Sequence, residues 1–310
     1  MKRATTDILY FETGPQNAPT LRVEPGEVFE VQTAINAGPW CDGKQLEEYR
    51  KKVPYGNPAS GCIYVEGVQP GDMVSIQILD MQLGPVGYTS FGPGTPVFYN
   101  WLDASKIPPS HKRVEIRDGQ ILWSDTLRIP VQPMIGFVGV APARDRFNNG
   151  WNGCWGGNFD LQEITTGATV HLRAECPGAL LHMGDIHAIQ GDGEICGAGG
   201  IESDALVRIK VNVTRPAPAK LHWPRIENDR YIMTCGFAKP AEDAFRIALE
   251  ALLQWMVADY GYPLEEAYML LGQVLEARCS QFVDPLYTYV CKISRQYLPD
   301  PLSPTPPHCV

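Results

Sequence analysis

Residues 21–31, LRVEPGEVFEV, contain a Pro-Gly pair between two short runs in which apolar and polar side chains alternate. Alternation with a period of two is typical of strands with one buried face. A Pro-Gly pair suits a type II turn, in which the glycine takes a positive φ. The same order of residues recurs at 67–78, GVQPGDMVSIQI. We therefore predict two related β units that each contain a tight turn, although the shared pattern is too short to establish a duplication.

The distribution of proline and glycine extends this prediction over the first two thirds of the chain. Most of the 27 prolines and 30 glycines precede residue 240, which is typical of many short strands joined by tight turns. The segment 85–110 is rich in glycine, proline and aromatic residues, and it predicts a long surface loop.

The sequence changes character after residue 236. Pro240 is followed by acidic residues and by apolar residues at a spacing of three to four, which predicts an amphipathic helix. Pro263 opens a second helical pattern, residues 281–293 predict a closing strand, and the end of the chain is rich in proline. We predict an α+β protein with a mainly β, sandwich- or barrel-like core over 1–236. A smaller C-terminal helical, α/β portion follows over 237–298, and a proline-rich tail over 299–310.

Composition narrows the class of protein. The 310 residues are 44% hydrophobic and 20% charged, as in soluble globular proteins. A net charge of −9 argues against nucleic acid or an anionic membrane as the partner. The chain has neither a signal-peptide pattern nor a run of about 18 apolar residues. Its nine cysteines form no C-x-x-C pair. We therefore expect reduced thiols and a cytoplasmic location.

The stretch 184–194, GDIHAIQGDGE, carries the strongest chemical signal, because acidic and imidazole side chains concentrate there without lysine or arginine. On an extended strand Asp185 and His187 share one face, and imidazole and carboxylate together bind borderline divalent ions. Asn158 and Asp160, in GGNFD at 156–160, share a face in the same way. On local sequence alone each pair also fits a structural role, either as surface side chains or as a turn bonded to its own backbone.

Together with GAL at 178–180 and IE at 201–202, these motifs resemble the acetamidase/formamidase family. Residues 62–72, 133–142 and 265–271 match the family as well, so the resemblance covers roughly residues 15–295. It implies hydrolysis of a short-chain amide to a carboxylate and ammonia, a metal-assisted site and a homo-oligomer. It also implies a β-rich fold with a smaller C-terminal α/β portion.

The resemblance also implies roles for individual residues. The expected ligands of a divalent metal ion, with Zn²⁺ favoured and Ca²⁺ or another ion as alternatives, are Asp160, Asp185 and His187. The expected catalytic carboxylates are Glu202, Asp192 and Glu194, with Glu202 as general base or additional ligand. Asn158 and Gln190 would orient the amide substrate or the ligands.

The chain departs from the family in places that leave alternatives open. Family members often carry a histidine near the N-terminus, where this chain has none, so Tyr10 or Glu12 would replace it or the site would be altered. His182 stands where relatives usually have a small residue, and a bulge at Gly184 could bring it into the site. Cys154 raises the alternative of a cysteine-dependent amide hydrolase. A diverged homologue with a binding or assembly role, or a substrate larger than acetamide, is also open.

Overall fold

The structure is a computed structural model that describes residues 1–38, 40–91, 106, 108–196, 200–218 and 221–302. The helices are α1 (Gly43–Lys52), α2 (Ala241–Tyr260) and α3 (Leu264–Val274), and Arg295–Tyr297 form a short 3₁₀ helix. The strands are β1 (Arg3–Ala4), β2 (Glu12–Thr13), β3 (Leu21–Val23), β4 (Val28–Gln32), β5 (Ala59–Val65), β6 (Met73–Leu83), β7 (Val86–Phe91), β8 (Ser110–Arg117), β9 (Gln120–Leu122), β10 (Arg128–Pro130), β11 (Met134–Gly139), β12 (Phe147–Asn148), β13 (Asn152–Gly153), β14 (Gly156–Asn158), β15 (Thr169–Arg173), β16 (Leu181–His187), β17 (Glu202–Ser203), β18 (Ala205–Thr214), β19 (Arg225–Glu227), β20 (Tyr231–Ala238), β21 (Glu276–Gln281) and β22 (Tyr287–Ser294).

Two large sheets share one hydrophobic core. The first has the order β1-β4-β18-β6-β15-β19-β20-β22-β21. The second has the order β10-β9-β8-β7-β17-β16-β11-β14-β13, and β5 joins it beside β16 with β3 at its edge. Ile76 and Val170 of the first sheet belong to the same fully buried cluster as Ile135 and Met183 of the second. The predicted α+β fold with a mainly β core is confirmed.

The two Pro-Gly turns have the predicted backbone conformation and an equivalent place in the fold. Gly26 has a φ of 83° and Gly71 a φ of 95°, values that favour glycine. The first turn leads from β3 in the second sheet to β4 in the first, and the second leads from β5 to β6 in the same direction. Each Pro-Gly turn therefore carries the chain from one sheet to the other.

The predicted surface loop over 85–110 is wrong for its first part. Residues 86–91 form β7, which pairs with β8 and, through Tyr88 and Glu202, with β17. The glycine and proline residues that suggested a loop are concentrated after residue 91, whereas Tyr88 and Thr89 favour a strand. Residues 92–105 and 107 lie outside the described residues.

The C-terminal helices pack on the end of the first sheet. The α2 helix follows Pro240 as predicted, and its buried side chains form a second cluster with Ile232 and Ile293 of β20 and β22. The predicted strand over 281–293 is in fact the connection 282–286 followed by β22. The predicted boundary between 236 and 237 stays a prediction, since β20 spans it. Among the described residues no helix is long and apolar enough to cross a membrane.

Candidate active site

Four acidic and imidazole side chains come together from neighbouring strands of the second sheet. Asp185 and His187 lie on β16, near the middle of that sheet. His187 is opposite Glu202 of β17. Asp160 follows β14, which pairs with β11 beside β16. The sheet register therefore unites two motifs that are about 25 residues apart in the sequence.

The centre of the cluster is buried and has the dimensions of a cation site. Asp160, Asp185 and His187 each offer one ligand atom, and these atoms lie within 4.8 Å of one another. His187 Nε2 lies 3.7 Å from Asp185 Oδ1 and 3.5 Å from Glu202 Oε1. All four side chains are at most 5% exposed. Because buried carboxylates need a compensating positive charge, this group could hold a metal ion.

Each of the two aspartates has one oxygen held by an amide and one oxygen left over. Asn158 Nδ2 donates to Asp160 Oδ2 at 2.6 Å, and Asn57 Nδ2 donates to Asp185 Oδ2 at 3.2 Å. The Oδ1 atoms of both aspartates are buried and have no hydrogen-bond partner among the described residues. Unpaired buried oxygens are costly, so their convergence points to a ligand that they share.

Gln190 fixes the tautomer of His187. Its Nε2 donates to the backbone carbonyls of Asp160 and Ser280, so its Oε1 is the acceptor for His187 Nδ1 at 2.8 Å. When the imidazole is neutral, its proton therefore sits on Nδ1, and Nε2 carries the lone pair. The Nε2 atom is buried and has no hydrogen-bond partner among the described residues. A metal-ligating histidine is usually oriented in this way. Gln190 accordingly fixes the orientation of the His187 ring.

Glu202 is held in a similar way by a residue that the sequence did not suggest. Asn36 Nδ2 donates to Glu202 Oε2 at 3.1 Å and leaves Oε1 facing His187. Burial, and then the charge of Asp185, raise the pKa of Glu202. Burial lowers the pKa of His187, but the Glu202 and Asp185 carboxylates outweigh it and hold that pKa well above its usual value. A protonated His187 thus offsets part of the carboxylate charge, and a cation bound at this place would take the position of the Nε2 proton.

A second acidic pair lies on the other side of Asp160. Asn158 Nδ2 also donates to Asp284 Oδ2 at 2.9 Å, and the buried Glu194 interacts with the same carboxylates. Burial raises the pKa of Asp284 to about 7 and that of Glu194 well above its usual value. Burial, and then the Glu194 and Asp284 charges, raise the pKa of Asp160 in the same direction. Asp284 was missed because residues 281–293 were assigned to one strand, although an Asp-Pro pair at 284–285 is a turn signal.

The backbone is unusual where the acidic residues lie. Asp160, Asp185 and Glu194 have φ values of 44°, 55° and 47°, in the left-handed region that non-glycine residues rarely adopt. Such conformations are costly and cluster at functional sites. Gly136 makes room for the aspartates, because a Cβ there would lie 2.5 Å from Asp160 Oδ1 and 2.6 Å from Asp185 Oδ2.

Asp192 does not join the cluster, contrary to its predicted catalytic role. Its side chain is 68% exposed and lies 2.9 Å from Nε of Arg278. The prediction assumed an extended segment in which Asp192 and Glu194 share a face. Residues 192–195 instead turn, with positive φ at Gly193 and Glu194. Arg278 lies on β21, so its approach to this acidic stretch was not visible in the local sequence.

His182 is a packed neutral imidazole outside the cluster. Asn17 Nδ2 donates to the backbone oxygen of Glu12 and to His182 Nε2 at 2.9 Å, so the histidine donates from Nδ1 to the Leu180 carbonyl at 2.9 Å. The side chain is fully buried, and burial lowers its pKa to about 4. The register of β16 against β5 shifts between residues 181 and 182, but this irregularity does not bring the imidazole to Asp185.

Neither residue proposed to replace an N-terminal histidine contacts the cluster. Tyr10 donates its hydroxyl to the Ala18 carbonyl and packs edge-on against His182. Glu12 lies near the surface and pairs with Arg146. Neither side chain therefore adds a ligand atom to the group formed by Asp160, Asp185 and His187.

Cys154 lacks the environment of a nucleophile. Burial raises the pKa of its thiol, and the charge of Glu175 raises it further. A catalytic cysteine needs the opposite shift, from a nearby cation or a base.

Comparison with known proteins places these residues in a recognised family. The sequence model of the Acetamidase/Formamidase family matches residues 154–294, which include Asp160, Asp185, His187, Glu202 and Asp284. An acetamidase of Mycolicibacterium smegmatis is 29% identical in a match that covers 81% of this chain and 81% of that protein. A formamidase of Methylophilus methylotrophus is 38% identical in a match that covers 64% of this chain and 62% of that protein. The second match therefore spans less than two thirds of the formamidase.

A solved structure agrees over almost the whole chain. The crystal structure of an acetamidase from Bacillus halodurans superimposes with a TM-score of 0.85 and 32% sequence identity. The match covers 95% of this chain and 98% of that one. The shared fold therefore extends well beyond residues 154–294, which the family model matches.

We predict that Gly136→Ala weakens the binding of a divalent ion by about tenfold or more, the effect typical of displaced outer-shell groups. The added methyl group would push the carboxylates of Asp160 and Asp185 apart. The matched control is Gly191→Ala, because a Cβ at Gly191 has no heavy atom within 4 Å. Isothermal titration calorimetry with Zn²⁺ measures the affinity of both variants. Equal affinities in the two variants would contradict the steric argument.

We predict that His182 makes the protein less stable as the pH falls from about 6.5 to about 4. Its folded pKa of about 4 is below the usual 6.5, so the unfolded state binds more protons in this window. The contribution is about 2 kcal/mol between pH 7.5 and pH 5. Urea unfolding at both pH values should show a smaller loss in His182→Gln than in the wild type. The same pH dependence in both proteins would show that His182 is not the group responsible.

Proposed function

Since the chain belongs to the acetamidase/formamidase family, it is an amidohydrolase, and we propose that it hydrolyses a small formamide- or acetamide-like amide at a metal site. The proposed site consists of Asp160, Asp185 and His187 as ligands of a divalent ion. The products are the carboxylate and ammonia.

One observation carries the proposal. Asp160 Oδ1, Asp185 Oδ1 and His187 Nε2 are all buried and unpartnered among the described residues, while an amide holds the other polar atom of each side chain. A group of three lone-pair donors with fixed orientations has no structural use of its own, but it suits a cation.

The donor types favour Zn²⁺ over Ca²⁺. Calcium prefers six to eight oxygen ligands, whereas zinc accepts imidazole nitrogen and carboxylate oxygen in a smaller set of ligands. When bound, such an ion supplies polarisation of the amide carbonyl and a lowered pKa for water.

Glu202 is the proposed general base. Its Oε2 is held by Asn36, and its Oε1 faces the space beside His187 Nε2. A carboxylate in this position can accept a proton from the attacking water. Asn36 keeps the carboxylate from turning away, since rotation would break the hydrogen bond at 3.1 Å.

Glu194 and Asp284 are the proposed source of the proton for the leaving nitrogen. Both carboxyls interact electrostatically with Asp160 or with each other, and Glu194 Oε2 is buried without a partner among the described residues. Burial raises the pKa of both groups, so each holds a proton more readily than an exposed carboxyl does. Asn158 donates to both Asp160 and Asp284, and so couples this pair to the proposed metal ligands.

Asp192 has no part in the proposed mechanism, because its side chain is exposed and pairs with Arg278. A cytoplasmic location and a homo-oligomer stay predictions from the sequence.

We predict that His187→Ala and Asp185→Asn each lose the divalent ion and reduce amide hydrolysis at least a hundredfold, because each removes one of three ligands. Metal analysis and ammonia release on formamide and acetamide measure the two effects. Chelation of the wild type should also abolish ammonia release, and Zn²⁺ should restore it.

Cys154→Ala should keep both its metal and its activity, since the thiol has a raised pKa. Activity that survives complete metal removal would contradict the proposal. Loss of activity in Cys154→Ala with the metal intact would support the cysteine-dependent alternative.

We predict that Glu202→Gln lowers kcat by a factor of 10² to 10⁴, the usual contribution of a general base. The carbonyl oxygen of glutamine preserves the acceptor for Asn36, so the metal content should stay close to that of the wild type. Asp192→Asn is expected to change kcat less than about threefold, because that residue is exposed and paired with Arg278. A large loss in Asp192→Asn together with a small loss in Glu202→Gln would reverse the two assignments.

A further inference from the structure

A pocket of about 460 Å³ lies between α1 and the β7–β8 hairpin. We name it the Tyr88 pocket. Its lining includes Gly38, Leu46, Arg50, Tyr88, Phe91 and His111. Pockets of about 300–1,000 Å³ are typical of small-molecule sites. The volume is several times what formamide or acetamide, with three or four heavy atoms, requires.

Tyr88 joins this pocket to the candidate active site. It is the cross-strand partner of Glu202, so both side chains project from the same face of the sheet. Burial, and then the charges of Glu202 and Asp185, raise the pKa of its phenol, in agreement with this position. Tyr88 also lines the pocket, although its side chain is only 5% exposed.

The loop at 36–38 forms a second connection. Asn36 holds Glu202, and Gly38 lines the pocket two residues later. A Cβ at Gly38 would lie 2.3 Å from Cζ of Tyr88, so only glycine lets the ring occupy this position. A molecule in the pocket would therefore be next to the structure that positions the proposed general base.

The pocket is positively charged, although the whole chain has a net charge of −9. Arg50 is in its lining, His111 adds a second basic side chain, and no aspartate or glutamate among the described residues lines it. Arg50 forms no salt bridge with any described residue, whereas the adjacent Lys51 pairs with Glu48 at 2.6 Å. A local positive charge in an acidic protein attracts anionic groups.

We propose that the Tyr88 pocket receives the part of the substrate beyond the amide group, and that Arg50 selects an anionic group there. This inference rests on the proposed function and narrows its substrate class to the monoamide of a short dicarboxylic acid. Leu46 and Phe91 would cover the methylene groups between the two ends, and Arg50 would meet the carboxylate. The oxygen of water forms the new C–O bond as the amide C–N bond breaks, both protons of the water pass to the leaving nitrogen, and the products are the dicarboxylate and ammonium.

The test compares kcat/KM for the monoamide of glutaric acid with that for hexanamide, an uncharged amide of similar length. The wild type should prefer the charged amide, and Arg50→Gln should reduce this preference roughly tenfold, the scale of one charge-assisted hydrogen bond at a partly exposed site. Most of the change should lie in KM, because a contact remote from the reacting bond binds the ground state as well as the transition state. Acetamide hydrolysis should be the same in both proteins.

Lys51→Gln is the matched control, because it removes the same charge from the next position of α1 but does not line the pocket. It should keep the preference for the charged amide. An equal preference in the wild type and Arg50→Gln, or an equal loss in Lys51→Gln, would overturn the inference while leaving acetamide hydrolysis intact.

A binding measurement separates this inference from the proposed function. Glutarate should bind the wild type at least roughly tenfold more tightly than Arg50→Gln, as measured by calorimetry. If no amide releases ammonia, the proposed function fails, and glutarate binding alone decides whether the pocket recognises an anion. Equal binding to both proteins would reject the pocket as an anion site.

Discussion

The burial of several carboxylates around one imidazole is the constraint that organises this protein. Asp160, Asp185 and Glu202 are almost fully excluded from solvent, and their mutual repulsion opposes the folded state. One histidine cannot neutralise this charge, since a protonated imidazole carries a single positive charge against three carboxylates. A bound cation would provide the missing compensation. Burial, together with charges from neighbouring carboxylates, raises the pKa of Glu194 and Asp284, so that protons can reduce the remaining charge.

Regular structure and hydrogen bonds hold the side chains of the cluster in fixed positions. A β16 strand inside the second sheet fixes the backbone of Asp185 and His187, and a set of side-chain amides fixes the rotation of the carboxylates and the imidazole. Amides suit this task because they donate without adding charge. Gly136 leaves the space in which the aspartates meet, and the left-handed residues turn the side chains out of the regular strand alternation. The left-handed backbone at these residues is strained, and strain of this kind is typically retained at binding and catalytic sites.

The sequence predicted what depends on local patterns. The Pro-Gly turns, the α2 helix and the motifs that hold Asp160, Asp185 and His187 all follow from short-range rules or from family resemblance. Contacts between distant segments did not follow. Asn57 and Asn36 reach the site from loops far earlier in the chain, and nothing in their local sequence identifies their partners. The assignment of Asp192 failed for the same reason, because its cation comes from β21.

The absence of an N-terminal histidine determines how many protein ligands the candidate metal site can have. The nearby imidazole of His182 is neutral and uses both nitrogens in hydrogen bonds, so it has no lone pair left for an ion. His182 therefore does not replace the N-terminal histidine as a fourth protein ligand. Structural zinc sites close their coordination with four protein ligands, whereas catalytic sites use three and leave a position for water or substrate. The group of Asp160, Asp185 and His187 has the number of protein ligands that a catalytic metal site would use, so the missing histidine does not argue against an enzyme.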